Sequence, residues 1–190
     1  MFKAVVKRII FQRRANRLAQ IILPYVDEND KVLDFGCGTL TIAEEIVKKK
    51  RVQIRGVDVI DFNLTELPVS IYDGQRTGFK DKTFDVTYAA FVLHHCDNIE
   101  AVFIELLRLT KKKIIVIEDT YKSRLGLFWI KLCDYVENRI GSLTMNIPLN
   151  FRSEQEWLDF FRASDIIEVH SQVLNPKSLR RHVLFVLSLR

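Results

Sequence analysis

A short apolar run, Val32-Leu33-Asp34-Phe35, is closed by Gly36 and Gly38 and passes directly into a helical pattern near Thr41. A strand, a glycine turn and a helix in that order point to an open α/β layout, in which the helix carries the chain back to a parallel neighbour. The alternation continues. Residues 52–57, 69–72, 84–91 and 114–117 read as further strands, the last two as continuous apolar runs of the kind buried on both faces of a sheet. Thr41 with Glu44 reads as a capping box opening a helix through about Lys49. Asp97 and Glu100 read as the cap of another, with Ile99, Val102, Phe103, Leu106 and Leu107 on its buried stripe. Three lysines lead into 114–117, and the link 58–69 is short enough to be a turn rather than a crossover helix.

The rhythm breaks after residue 120. Residues 121–140 read as a long helix rich in aromatic and aliphatic residues, and Ser153 with Glu156 caps a further helix carrying Trp157, Leu158, Phe160 and Phe161. Two strands, 167–174 and 182–189, then follow with no helix between them. A parallel crossover takes a dozen or more residues, so this pair is an antiparallel hairpin. The expected fold is a Rossmann-like α/β domain spanning 1–190. It has a seven-stranded, mostly parallel sheet, an antiparallel last strand and helices on both faces.

Several classes are excluded or disfavoured. A chain of 190 residues with 48% hydrophobic content can bury a core without staples. No apolar run approaches the roughly 18 residues of a membrane span, and the first residues lack the apolar stretch of a secretory signal. Cys37, Cys96 and Cys133 are far apart and form no CxxC pair, which suits reduced thiols in a cytoplasmic protein. No His, Cys, Asp and Glu set has metal-ligand spacing, so no metal is expected. Charge is uneven: residues 1–26 carry six Lys/Arg and residues 177–190 four, both without an acid, which leaves the body mildly acidic. Such ends are ordinarily solvated surface; the other reading is an anionic partner, a lipid surface or RNA.

The glycine turn fails the dinucleotide pattern GxGxxG, because position 41 is Thr. Asp34 decides more. A carboxylate at that strand end would repel a pyrophosphate docked on the following helix and favour a cation instead. S-adenosylmethionine has an ammonium, a sulfonium and no phosphate. Asp58 ends the second strand, where a carboxylate can accept from both ribose hydroxyls, and Asp73 ends the third, where one can accept from an adenine amine. Singly, each is an ordinary turn or cap residue. Three acids at the carboxyl ends of successive strands mark the edge where open α/β sheets bind ligands.

VLDFGCGT, the acid of GVD at Asp58, and DGQRTGFKDKTFDVTYAAFVLHH resemble the consecutive motifs of class I S-adenosylmethionine-dependent methyltransferases, specifically the small type 11 group. The terminal hairpin is similar to that family's sheet, whose last strand runs against the others. Leu40 stands where many members carry a third Gly. The resemblance implies that Asp34, Gly36 and Gly38 face the methionine part of S-adenosyl-L-methionine, Asp58 the ribose, and Asp73 with Gly74 the adenine. It implies that Phe91 borders the sulfonium and the acceptor. It also implies in-line SN2 methyl transfer, for which positioning alone can supply roughly 7–11 kcal/mol.

A general base, where the acceptor needs one, would come from His94 or His95 after the fourth strand, or from Glu118 or Asp119 ending the fifth. The other reading of the histidines is one capping and one packing. His170 and His182 read as structural. Ala89-Ala90-Phe91-Val92 stands where methylases of base amines carry an Asn/Asp-Pro-Pro-aromatic run, so a small, partly apolar acceptor is expected. The insertion 121–150, with Phe128, Trp129, Tyr135 and Met145, reads first as core and second as a roof over the acceptor pocket. The competing functions are a non-catalytic binding module, methylation of RNA or another anionic partner, and a nicotinamide oxidoreductase; Asp34 and Thr41 argue against the last. At the N-terminus, Phe2, Val5, Val6, Ile9 and Ile10 share one helical face. That face fits a helix packed on the sheet, a lid over the cofactor, or an anchor on anionic lipid.

Overall fold

Alternate residues of one strand enter two different cores: Ile114 and Val116 pack on one side of the sheet, Ile115 and Ile117 on the other. The computed structural model describes the backbone of residues 2–141, 148–164 and 166–190, and the side chains of 12–136, 148–164 and 166–190. Its strands are β1 (Lys31–Phe35), β2 (Gln53–Asp58), β3 (Val69–Ile71), β4 (Phe84–Ala90), β5 (Thr110–Thr120), β6 (Glu168–Val173) and β7 (Arg181–Ser188). They form one sheet in the order β3-β2-β1-β4-β5-β7-β6. Strands β1 to β5 pair in parallel, while β7 runs antiparallel to both β5 and β6. The expected topology is the observed one.

The helices are α1 (Phe2–Ile22), α2 (Thr41–Val47), α3 (Ile99–Leu109), α4 (Arg124–Gly141) and α5 (Glu154–Arg162). On one face Leu18, Ala19 and Ile22 of α1 join Ala43 and Ile46 of α2 against Val32, Val86 and Tyr88. On the other, Phe103 and Leu106 of α3 and Trp157 and Phe161 of α5 cover Leu33, Phe35 and Phe185. Pro24 sits in the single 3-10 turn that ends α1, where a helix interior would lose a hydrogen bond to it. Buried Glu45 ties α1 to α2 by accepting from Gln12 Nε2 at 2.6 Å and Asn16 Nδ2 at 3.0 Å. The side chains of Phe2, Val5, Val6, Ile9, Ile10 and Met145 lie outside the described residues.

Four expectations are corrected. The residue preceding α2 is Leu40 rather than a capping threonine: it takes a left-handed φ of 58° and offers no side-chain cap, because the glycine turn sets the entry angle. The cap of α3 is Asn98, whose side chain accepts from Ala101 N at 2.9 Å; Asp97 does not cap it. Lys111, Lys112 and Lys113 lie inside β5, because backbone pairing with β4 and β7 extends beyond the apolar run. The aromatic stripe of α4 is not core: Phe128 is 63% exposed and Tyr135 55%. Between β2 and β3 there is no helix, as the short link implied. The capping box at Ser153 and Glu156 is present, with Ser153 Oγ accepting from Glu156 N and Glu156 accepting from Ser153 N.

Candidate functional site

The carboxyl ends of β1 and β4 open onto a cavity of about 240 Å³ beneath α1. Asp34, Gly36, Cys37, Gly38 and Thr39 form one wall, and Ala90 and Phe91 another. Arg14, Ala15 and Leu18 of α1 close the side that the sheet leaves open. Gly36 has φ of 69°, and a Cβ there would stand 2.5 Å from Val92 Cγ2; only glycine fits both demands. Gly38 has φ of 48° and a Cβ there would meet nothing within 4 Å, so a ligand can approach its backbone closely. Phe91 also takes a left-handed φ, 61°, which is costly for a bulky residue. The backbone N–H of Phe91 holds it there by donating to Ile117 O at 2.7 Å.

Asp34 is the chemically pointed group. It is 2% exposed, and its Oδ2 has no hydrogen-bond partner among the described residues. Tyr88 lies close by, fully buried, but its hydroxyl makes no hydrogen bond of normal geometry either. Burial raises the Asp34 carboxyl to about 7, with nearby Asp58 adding to the rise and Tyr88 opposing it. A buried, unsatisfied carboxylate on a cavity wall is a receptor for a cationic hydrogen-bond donor.

The other two acids sit at neighbouring strand ends without lining that cavity. Asp58 Oδ2 accepts from Gly38 N at 2.7 Å and its Oδ1 from Val59 N at 2.7 Å, so it ties the glycine turn to the end of β2. Asp73 is exposed and accepts from Gln75 N at 2.9 Å and Arg76 N at 3.2 Å, which lowers its pKa. Gly74 follows with φ of 82°, and its Cβ position lies 3.6 Å from Val59 Cγ1.

The groups after β4 and β5 form two separate clusters. Glu118 is fully buried and accepts from Val92 N at 3.1 Å, Leu93 N at 2.7 Å and His94 Nδ1. His94 is 1% exposed and stacks on Phe151. Burial works against its charge, but Glu118 and Asp134 outweigh burial and hold its pKa at about 10. His95 moves the other way, lowered by burial and by the adjacent His94. Neither histidine nor Glu118 lines the cavity. His94 Nε2 and His95 Nε2 stand 3.7 and 3.8 Å from Asp134 Oδ1 of α4, a set of three donors able to hold a divalent metal. Sequence spacing gave no sign of it, because Asp134 is brought in by the fold. In the second cluster, buried Asp119 takes His182 Nδ1 at 2.5 Å and Arg180 Nε at 2.8 Å, and these partners outweigh burial to lower its pKa. The His182 ring meets Phe91 edge-on at 5.1 Å, so this pair reaches the cavity wall. Arg14, Ala15 and Ile42 line the cavity although the motifs did not single them out, and His182 reaches its wall through Phe91. The basic excess of the N-terminal helix was the one available signal, for Arg14.

Comparison with known proteins places this geometry. A family model described as a methyltransferase domain matches residues 8–183. The chain is 34% identical over 93 residues to a demethylmenaquinone methyltransferase of Streptomyces griseus subsp. griseus, a match covering 43% of this chain and 38% of that relative's length. Among solved structures, a Thermotoga maritima protein described as an S-adenosylmethionine-dependent methyltransferase superposes with a TM-score of 0.69 at 18% identity, over 100% of this chain and 96% of that one. Geranyl diphosphate C-methyltransferase from Streptomyces coelicolor A3(2) superposes with a TM-score of 0.72 at 13% identity, over 94% of this chain and 81% of that one. At these identities the structural likeness establishes the fold.

Proposed function

This chain belongs to the class I S-adenosylmethionine-dependent methyltransferases, and we propose that it transfers a methyl group to a small, partly apolar acceptor. The observation that carries this reading is Asp34 Oδ2, a buried oxygen without a partner on the wall of a glycine-lined cavity. The residues present fit the cofactor. Asp34 would take the ammonium of the methionine part, Arg14 its carboxylate, Gly38 the close approach of the chain, Asp58 the ribose, and Val59 with Asp73 and Gly74 the adenine. Bound S-adenosylmethionine supplies a methyl group already activated by positive sulfur.

The protein's share of the work is therefore orientation and exclusion of water. Phe91, strained at the end of β4, presents its ring to the cavity, and α1 covers the remaining side. For an acceptor that must lose a proton, His182 is the group beside the cavity, oriented through Nδ1 by Asp119. His94 and Glu118 act one layer back, holding the turn that follows Phe91. Leu18, Ile42, Ala90 and Phe91 give the cavity an apolar side, which supports an apolar acceptor. The names of two similar proteins, a demethylmenaquinone and a geranyl diphosphate methyltransferase, agree with this, since both named acceptors carry an isoprenoid hydrocarbon chain. Calorimetry with S-adenosylmethionine, followed by turnover of labelled methyl donor against isoprenoid, quinone and RNA pools, tests the reading. Micromolar binding with transfer to an apolar acceptor supports it. Absence of binding by the folded protein would overturn it.

A further inference from the structure

The apolar stripe of α4 points away from the protein. Leu125, Phe128, Trp129, Leu132, Tyr135 and Val136 recur at the three- and four-residue spacing of a helix seam that is ordinarily buried. Each is between 43% and 68% exposed. The side of α4 that packs inward is instead Gly126, Ile130 and Asp134, four residues apart and all buried. A Cβ on Gly126 would lie 3.6 Å from Leu179 O, which brings the turn between β6 and β7 against the start of α4, with Leu179 57% exposed. Lys177 of that turn and Arg17 of α1 border a shallow depression beside it.

We propose that this face is an interfacial anchor that seats the chain on an anionic lipid bilayer, with α4 lying in the plane of the surface. The charge pattern selects the occupant. Lys122, Arg124 and Lys131 flank the stripe along the chain and are exposed, as are Lys177 of the neighbouring turn and Arg17 of α1 beside it. Asp134, the acid among the described side chains of α4, is turned inward. An apolar stripe carrying Trp, Tyr and Phe and flanked by Lys and Arg is the pattern of a helix that sinks its apolar side to the acyl boundary and leaves its cations at the headgroups. It lies on the bilayer rather than across it, for no described helix is long and apolar enough to span one. A second copy would set these cations against their own kind along the seam. Resting on the proposed function, the anchor would let an apolar acceptor reach the cavity from the bilayer without crossing water.

Vesicle sedimentation of the full chain tests the anchor independently of methyl transfer. Vesicles of phosphatidylglycerol and phosphatidylcholine should carry the protein down at least tenfold more strongly than phosphatidylcholine alone. Binding should blue-shift tryptophan emission, because Trp129 is 45% exposed whereas Trp157 is fully buried already. The Phe128→Ser/Trp129→Ser pair should weaken vesicle binding at least tenfold while leaving cofactor affinity and melting temperature unchanged. Arg124→Glu/Lys131→Glu should remove the preference for anionic lipid. Failure of the wild type to sediment, equal sedimentation of the serine pair, or a wild-type dimer that this pair converts to monomer would each overturn the proposal. Vesicle binding without methyl transfer would leave the anchor standing and remove the enzyme reading instead.

Discussion

The guanidinium carbon of Arg14 lies 4.7 Å from the centroid of the Phe91 ring, so α1 reaches across the cavity to the strained residue that follows β4. The contact joins the first helix to the wall where the resemblance sets the sulfonium and the acceptor. It makes α1 both a packed helix, through Leu18, Ala19 and Ile22, and a cover for the site, through Arg14 and Ala15.

Arg14→Ala should weaken S-adenosylmethionine binding by roughly 1.5–3 kcal/mol, the worth of a charge-assisted hydrogen bond. Its side chain is exposed, so the melting temperature should hold within a few degrees. Calorimetry on the purified variant checks both. Unchanged affinity would remove Arg14 from the carboxylate site.

Asp34→Asn should change the response to pH in two ways. Asp34 holds its proton to about 7 in the folded chain, whereas an unfolded Asp loses it near 4. The folded state therefore binds more protons in that window, and wild-type stability falls as pH rises from about 4 to about 7. The variant lacks this loss, so its melting temperature should exceed the wild type's increasingly between pH 5 and pH 8. Cofactor affinity should show the opposite trend. In the wild type it should rise through pH 7 as the carboxylate becomes available to the ammonium; in the variant it should be weak and flat. Parallel melting and binding series from pH 5 to 8 would expose either failure.

Leu40→Gly is a contest between strain and packing. The left-handed φ of 58° costs a non-glycine residue about 1–2 kcal/mol, which glycine would recover. Leu40 is also fully buried against α1 and α2, and truncating a buried leucine costs about 2–5 kcal/mol. Packing should win, giving a net loss of up to about 4 kcal/mol and a lower melting temperature. A more stable glycine variant would show that the turn, rather than the core, governs this position.

Glu118→Gln should lower both stability and turnover while leaving the cavity's own residues in place. One carboxylate holds two backbone N–H groups and His94 Nδ1, and removing one partner of a buried charge pair costs about 3–5 kcal/mol. Differential scanning calorimetry reads the loss directly. A melting temperature within two degrees of wild type would mean that the turn after Phe91 does not depend on this pair.

Much of the architecture was legible in short-range pattern. The strand, glycine turn and helix at 32–41, the alternation up to β5 and the missing helix between β6 and β7 point to a mostly parallel sheet with an antiparallel last strand, and that is what is observed. Where the reading slipped, a neighbour in space had displaced a local rule. Thr41 with Glu44 has the letters of a capping box, but the turn before it forces Leu40 into the capping position. Lys111 to Lys113 resemble a loop, yet Lys112 reaches Asp30 at 2.7 Å across the sheet and stays in β5.

The sequence by itself determined the alternation of strands and helices, the antiparallel terminal hairpin, the glycine turn and the row of acids at the sheet edge, because these depend on residue type and spacing along a few turns of chain. The order of strands in the sheet was decided by the fold. Tertiary structure alone decided which groups face the cavity. Asp34 and Phe91 line it, Asp58 and Asp73 stand beside it, and His94 with Glu118 is buried behind it. It also decided that the apolar stripe of α4 faces outward, since periodicity gives the width of a stripe and says nothing of the direction in which the helix turns it.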